Sequence, residues 1–200
     1  EPADLARERD AQSLKVSATT DWQHDASASS RFQPTLVMIN DSGWDGNEIL
    51  QLVQRSADII RQCDIDLLPA KMLEVSAPDG VRDFSRSNAK LLTDKVGSQG
   101  PRVFFVRDTL DRPAFEAVTF GTANSKSNPA LRFTVWITAA TRDPHIALAH
   151  ELAHVLLDDG SHTQSTGNLM HSDKSSDSVE LSAKQCTKMR HMARLNELLD

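Results

Sequence analysis

The 200-residue sequence has no tyrosine, two cysteines and few aromatic residues of any kind, 5% of the total. No phenol is therefore available to a metal or a reaction. Cys63 and Cys186 are too few and too far apart for a structural zinc module, which favours cysteine-rich, closed sites. No stretch approaches the ~18 consecutive apolar residues of a membrane-spanning helix. No signal peptide is visible, and the start at Glu1 rather than Met is that expected of a mature or trimmed form. Basic residues are the minority, 22 Lys and Arg against 28 Asp and Glu, for a net charge of -6. This argues against general nucleic-acid binding, which needs a basic face, and against an electrostatic membrane anchor. There is no internal repeat.

What is present describes a globular chain. Hydrophobic residues make up 39% and charged residues 25%, in a length that suits one domain with or without a tail. If the chain is exported, Cys63 and Cys186 are expected to form one disulfide; two buried free thiols are the alternative.

Residues 1–34 are polar and read as an N-terminal extension, a pro-region or a linker, with the main domain over 35–200. "TLVMI" (35–39) predicts a buried strand. Asp45 and Glu48 have capping-box spacing, and Ile49, Leu52, Val53, Ser56, Ile60 and Cys63 then recur at helical spacing. "KMLEV" (71–75) predicts a strand, and "SNAKLLTDKVG" a short helix ending on Gly97. "RVFFV" (102–106), "FEAVTF" (115–120) and "RFTVWIT" (132–138) predict three more strands. A helix is expected after Asp143-Pro144, with Asp143 as its N-cap. A last helix is expected over about 183–198, opened by a capping box of Ser182 and Gln185. Strands and helices in this order predict a mixed sheet with helices, α/β or α+β in class.

The chemistry concentrates in "DPHIALAHELAHVLLDDGSHTQSTGNLMH", which carries five of the seven histidines. His150 and His154 are four apart on a helix and so share one face. Imidazole nitrogen is a favoured zinc ligand, and Glu151 between them is placed to hold a water. A shuffled chain of this composition would contain H-E-x-x-H only about 0.01 times, so chance accounts for it poorly. Ile146, Leu148, Ala149, Leu152, Ala153, Val155 and Leu156 make the helix apolar nearly all round and therefore buried. Buried imidazoles and a buried carboxyl need partners, and a metal supplies them. A catalytic zinc takes three protein ligands and keeps one position open. With Gly160 as the left-handed helix end, His162 is the first choice for the third ligand; Asp158, Asp159, His171, Asp173 and Glu180 are the alternatives.

On these residues, the segment 150–170 resembles the metzincin clan of zinc metallopeptidases, whose pattern is H-E-x-x-H-x-x-G-x-x-H followed by a tight turn with a methionine beneath the metal. The resemblance implies zinc ligands His150, His154 and His162, general base Glu151 and turn methionine Met170, with His171 as an auxiliary residue. The spacing of eight from His162 to Met170 is that of the matrixin branch. The gap from His154 to His162 is eight where the family has six, so the helix is expected to run about half a turn further. The metal-linked tyrosine of some branches is absent here. The resemblance also implies a twisted five-stranded mixed sheet, with "FEAVTF" as the antiparallel edge strand above the cleft, an active-site helix and a C-terminal helix. The implied activity is zinc-dependent endopeptidase action on a peptide or protein substrate, by a secreted or periplasmic monomer. Two other readings are a gluzincin-type peptidase with Glu180 as third ligand and a non-catalytic zinc-binding module.

Overall fold

The computed structural model describes residues 13–21, 30–69, 71–97, 100–122, 125–126, 128–172 and 177–200. Asp173 and parts of the N-terminal extension lie outside these residues. The strands are β1 (Lys15–Asp21), β2 (Ser30–Phe32), β3 (Thr35–Ile39), β4 (Ile65–Leu67), β5 (Lys71–Ser76), β6 (Arg102–Val106), β7 (Ala117–Phe120) and β8 (Thr134–Thr138). The helices are α1 (Gly46–Ile60), α2 (Arg86–Val96), α3 (Pro144–Leu157) and α4 (Ala183–Leu195).

Six strands form one sheet in the order β1-β5-β3-β6-β8-β7. The four central strands are parallel, and both edges are antiparallel. The expected mixed α/β class is therefore present, with six strands where five were expected. The sixth is β1, from the polar segment read as an extension. It pairs along β5 from Lys15–Ser76 to Asp21–Lys71, and Leu14 just before it is 1% exposed in the core. The boundary expected at residue 34 falls between β2 and β3. β2 and β4, also unanticipated, form a separate parallel pair. Both are only three residues long, which leaves too little sequence to show a period.

β3, β6 and β8 are mostly apolar and almost wholly buried because a parallel sheet is covered on both faces. Alternate residues point to opposite faces. Leu36, Val103, Phe105, Val135 and Ile137 pack with α1, α3 and α4. Val37, Ile39, Phe104, Val106 and Trp136 pack with α2. Trp136 stacks on Phe104 with ring centroids 4.0 Å apart. β8 starts two residues later than expected because Phe133 sits in the left-handed region (φ 57) and cannot extend the strand.

The N-termini of α1 and α4 and the C-terminus of α2 follow the sequence closely. Asp45 accepts from the Asn47 and Glu48 N–H groups, Gly97 is the left-handed end of α2, and Ser182 and Gln185 form a complete capping box. Cys63 lies in a 3-10 turn continuing α1 and is bonded to Cys186 in the first turn of α4. The α3 helix lies between α1 and α4, beneath β7 and β8.

Candidate metal centre

The α3 helix is buried along its length, from Ile146 to Leu157. Pro144 occupies the first turn as expected, but Asp143 is not a side-chain cap. It is left-handed (φ 45), and its carbonyl accepts from the Ile146 and Ala147 N–H groups instead. At the other end the left-handed residue is Asp158 (φ 47), not Gly160, so the expected half-turn extension does not form. The reason is local. The Asp158 carboxylate accepts from Thr122 N at 2.8 Å and from Asn196 Nδ2 at 3.3 Å, which ties the helix end to the residues after β7 and to the end of α4. Gly121 permits this approach, since a Cβ there would lie 3.0 Å from Asp158 Oδ1.

The chain then returns over residues 159–162 and brings His162 to the other two histidines. The three Nε2 atoms form a triangle with sides of 3.0 Å (His150–His154), 3.2 Å (His150–His162) and 3.3 Å (His154–His162). His150 and His154 are 1% and 5% exposed, whereas His162 is exposed. Two second bonds fix the ring chemistry. His150 Nδ1 lies 2.6 Å from the Leu169 carbonyl, and His154 Nδ1 lies 2.6 Å from the Asp159 carbonyl. A carbonyl only accepts, so each Nδ1 carries a proton and Nε2 is left as the ring nitrogen available to a metal at the centre of the triangle. Lone pairs facing one another repel unless a cation lies between them. A tetrahedral zinc at ~2.0–2.1 Å from each nitrogen would space its ligands by roughly 3.3 Å, close to these sides. Donor type, spacing and outer hydrogen bonds thus suit a divalent metal of the zinc kind.

The turn that carries Met170 is part of the same construction. Leu169, whose carbonyl holds His150, precedes Met170, and the Met170 carbonyl accepts from Thr163 N at 2.9 Å, beside His162. Met170 is 2% exposed in the core. Gly167 (φ 79) and a bond from His171 N to the Asn168 carbonyl close the turn. Asn168 and Gln185 exchange two amide hydrogen bonds of 2.9 Å each, and Asn168 Oδ1 also accepts from Met170 N. The capping residue of α4 therefore also braces this turn.

Among the described residues, the other candidates for a third ligand are occupied elsewhere or lie outside the cluster. Asp158 is bound as above. The Asp159 carboxylate takes a hydrogen bond from Lys188 of α4 and others from Ser161, which hold its pKa well below the ordinary 3.8. Glu180 is exposed, and its backbone pairs with Gly167 and Leu169. His171 is half-buried beside Thr163 and is not in the group of three. Glu151 is 4% exposed, one residue after His150. The two orienting carbonyls, of Leu169 and Asp159, have no signature in the sequence. Gln185 is visible there only as a helix cap.

No protein-family model matches this sequence, and no curated protein matches it. Among solved structures the chain is similar to the crystal structure of metalloproteinase-II from Bacteroides fragilis, with a TM-score of 0.59 and 18% identity. The match covers 86% of this chain and 56% of that one, so this chain spans little more than half of its neighbour's length. At this identity the likeness shows the fold alone. The fold of a metalloproteinase and three converging imidazoles occur together in this chain.

Proposed function

We propose that this protein is a zinc-dependent endopeptidase of the metzincin type, with His150, His154 and His162 as zinc ligands and Glu151 as general base. The observation that carries the reading is the triangle of Nε2 atoms with sides of 3.0 to 3.3 Å, two of them fixed as lone-pair donors by carbonyls behind them. Zinc, when bound, supplies a Lewis acid that acidifies water to a pKa near 7 and draws electron density from a carbonyl. The three imidazoles of His150, His154 and His162 would hold it without adding charge. Glu151, on the same helix as two of them, takes the proton of the attacking water and returns it to the leaving amine.

Substrate binding falls to β7. It is the last strand of the sheet, antiparallel to β8 and next to α3. An extended peptide added along its open edge gains main-chain hydrogen bonds and passes over α3. Met170 forms part of the floor, and the turn around it positions His150 and His162. Among the described residues, Glu180 is exposed and lies outside the group of three, which supports His162 over it as third ligand. We place the protein outside the cytoplasm, secreted or periplasmic, because the Cys63–Cys186 bridge is stable in oxidising compartments. No helix among the described residues is long and apolar enough to cross a membrane.

The test of the metal assignment is metal content and X-ray absorption of purified protein, beside His162→Ala. The expected result is one zinc per chain, with nitrogen ligands at ~2.0–2.1 Å, and weak retention by the variant. One zinc held with equal affinity in the variant would move the third ligand elsewhere.

A further inference from the structure

A second site lies away from the histidines, around Arg102. This residue opens the central strand β6 and is 7% exposed. Its Nη2 donates to the Ala130 carbonyl at 2.7 Å, but its Nε–H has no partner among the described residues. The nearby carboxylate of Asp94 is bonded to Lys90 and makes no ion pair with Arg102. Burial pulls the Arg102 guanidinium below its ordinary 12.5, and the field of Asp94 opposes this. An arginine cannot escape burial by losing its proton, as a lysine can. A buried, unpaired charge is strongly unfavourable, and the usual remedy is a counter-ion.

Arg102 lines a cavity of about 710 Å³, whose wall also includes Arg132, Phe133, Asn196, Asp94 and Glu197. The Arg132 guanidinium is already positioned, 4.4 Å over the Phe133 ring and 3.1 Å from Asn196 Oδ1. The volume falls within the ~300–1,000 Å³ of small-molecule sites. None of the three clustered histidines lines it.

We infer that this cavity binds a small molecule through one oxyanion group, a carboxylate or a phosphate, seated on Arg102 and Arg132. A guanidinium presents its N–H donors in a planar fork that matches such groups. The carboxylates of Asp94 and Glu197 in the same wall disfavour a polyphosphate and restrict the ligand to a single charged group. The site is independent of the peptidase reading and stands whether or not that reading holds.

The experiment titrates zinc-loaded protein with inorganic phosphate and, separately, acetate, against chloride at matched ionic strength. It follows the Arg102 Nε–Hε signal by NMR, identified by its loss in Arg102→Lys. The expected result is a saturable movement of that signal with at least one of the two anions. The dissociation constant should weaken about tenfold in Arg132→Ala, an exposed position whose change leaves the fold intact. The local readout separates this site from any anion bound at the histidines. Movement equal to that with chloride, or unchanged affinity in Arg132→Ala, would overturn the inference. The first outcome would make Arg102 a structural brace for Ala130, paired with Asp94 through water.

Discussion

Replacing both Cys63 and Cys186 by alanine should cost most of a disulfide's stabilisation while leaving the fold in place. The bridge spans 123 residues of sequence, nearly two thirds of the chain. In the chain-entropy account, freeing a loop of that length lowers stability by about 5 kcal/mol at room temperature. Loss of two buried sulfur atoms adds roughly 1 kcal/mol more. Cys63 is 0% and Cys186 7% exposed, so neither position offers solvent to compensate. For a chain of this size the sum corresponds to a fall in Tm of about 12–24 °C. The assay is urea unfolding of both proteins with saturating zinc, read by far-UV circular dichroism and tryptophan fluorescence. The double variant is preferable to a thiol reductant, because dithiols compete for zinc. The unfolding slope m should change as well, since an uncrosslinked chain exposes more surface. A loss below about 1 kcal/mol would refute the entropic reasoning and mean that the unfolded chain keeps α1 and α4 together without the bond.

Other outcomes follow from the same geometry. His162→Ala should weaken zinc binding by roughly 100-fold or more in a chelator competition; an unchanged constant would remove His162 from the ligand set. Asn168→Ala leaves the Gln185 amide and Met170 N without their partner. It should lower stability by about 1–3 kcal/mol, and zinc affinity by about tenfold through the shifted Leu169 carbonyl; a variant as stable as wild type would show that the amide pair braces nothing. Asp83 accepts two 2.8 Å hydrogen bonds from Arg107, and that pairing holds its carboxyl below the ordinary 3.8. A lowered folded-state pKa gives stability that is present above the unfolded value of ~3.9 and lost as pH falls through the folded one. Asp83→Asn should therefore flatten the decline of stability below about pH 4, and parallel acid limbs in the two proteins would contradict it.

The long, strongly patterned elements are legible in the sequence. β3 and β6 match the expected runs to the residue, because strands buried on both faces favour apolar side chains over most of their length. His150 and His154 are legible as members of the cluster of three because two imidazoles at i, i+4 on an otherwise apolar helix seldom arise by chance. His162 is the preferred third ligand on chain order alone, and it joins the cluster although the helix stops at Asp158 and not at Gly160. β1 escapes detection because its sequence "KVSATTD" is polar and an edge strand needs no continuous apolar run. β2 and β4 escape it because three residues cannot declare a period. Hydrogen bonds from the histidines to the Leu169 and Asp159 carbonyls are invisible to any reading of side chains, since every residue has a carbonyl and only the fold decides which one is near. Arg102 reads simply as the start of a strand, and its burial without an ion pair emerges only from packing.

The most direct test of the central claim is digestion of a diverse peptide mixture by zinc-loaded wild type beside Glu151→Gln, read by mass spectrometry, with zinc content measured in both. The predicted result is internal cleavage by wild type, abolished by a chelator and restored by zinc. Glu151→Gln should retain its zinc and turn over at least about 100-fold more slowly. Equal cleavage by the two proteins would contradict the role of Glu151. Absence of cleavage by the zinc-loaded wild type would contradict a general endopeptidase and leave the three histidines as a metal site with another purpose.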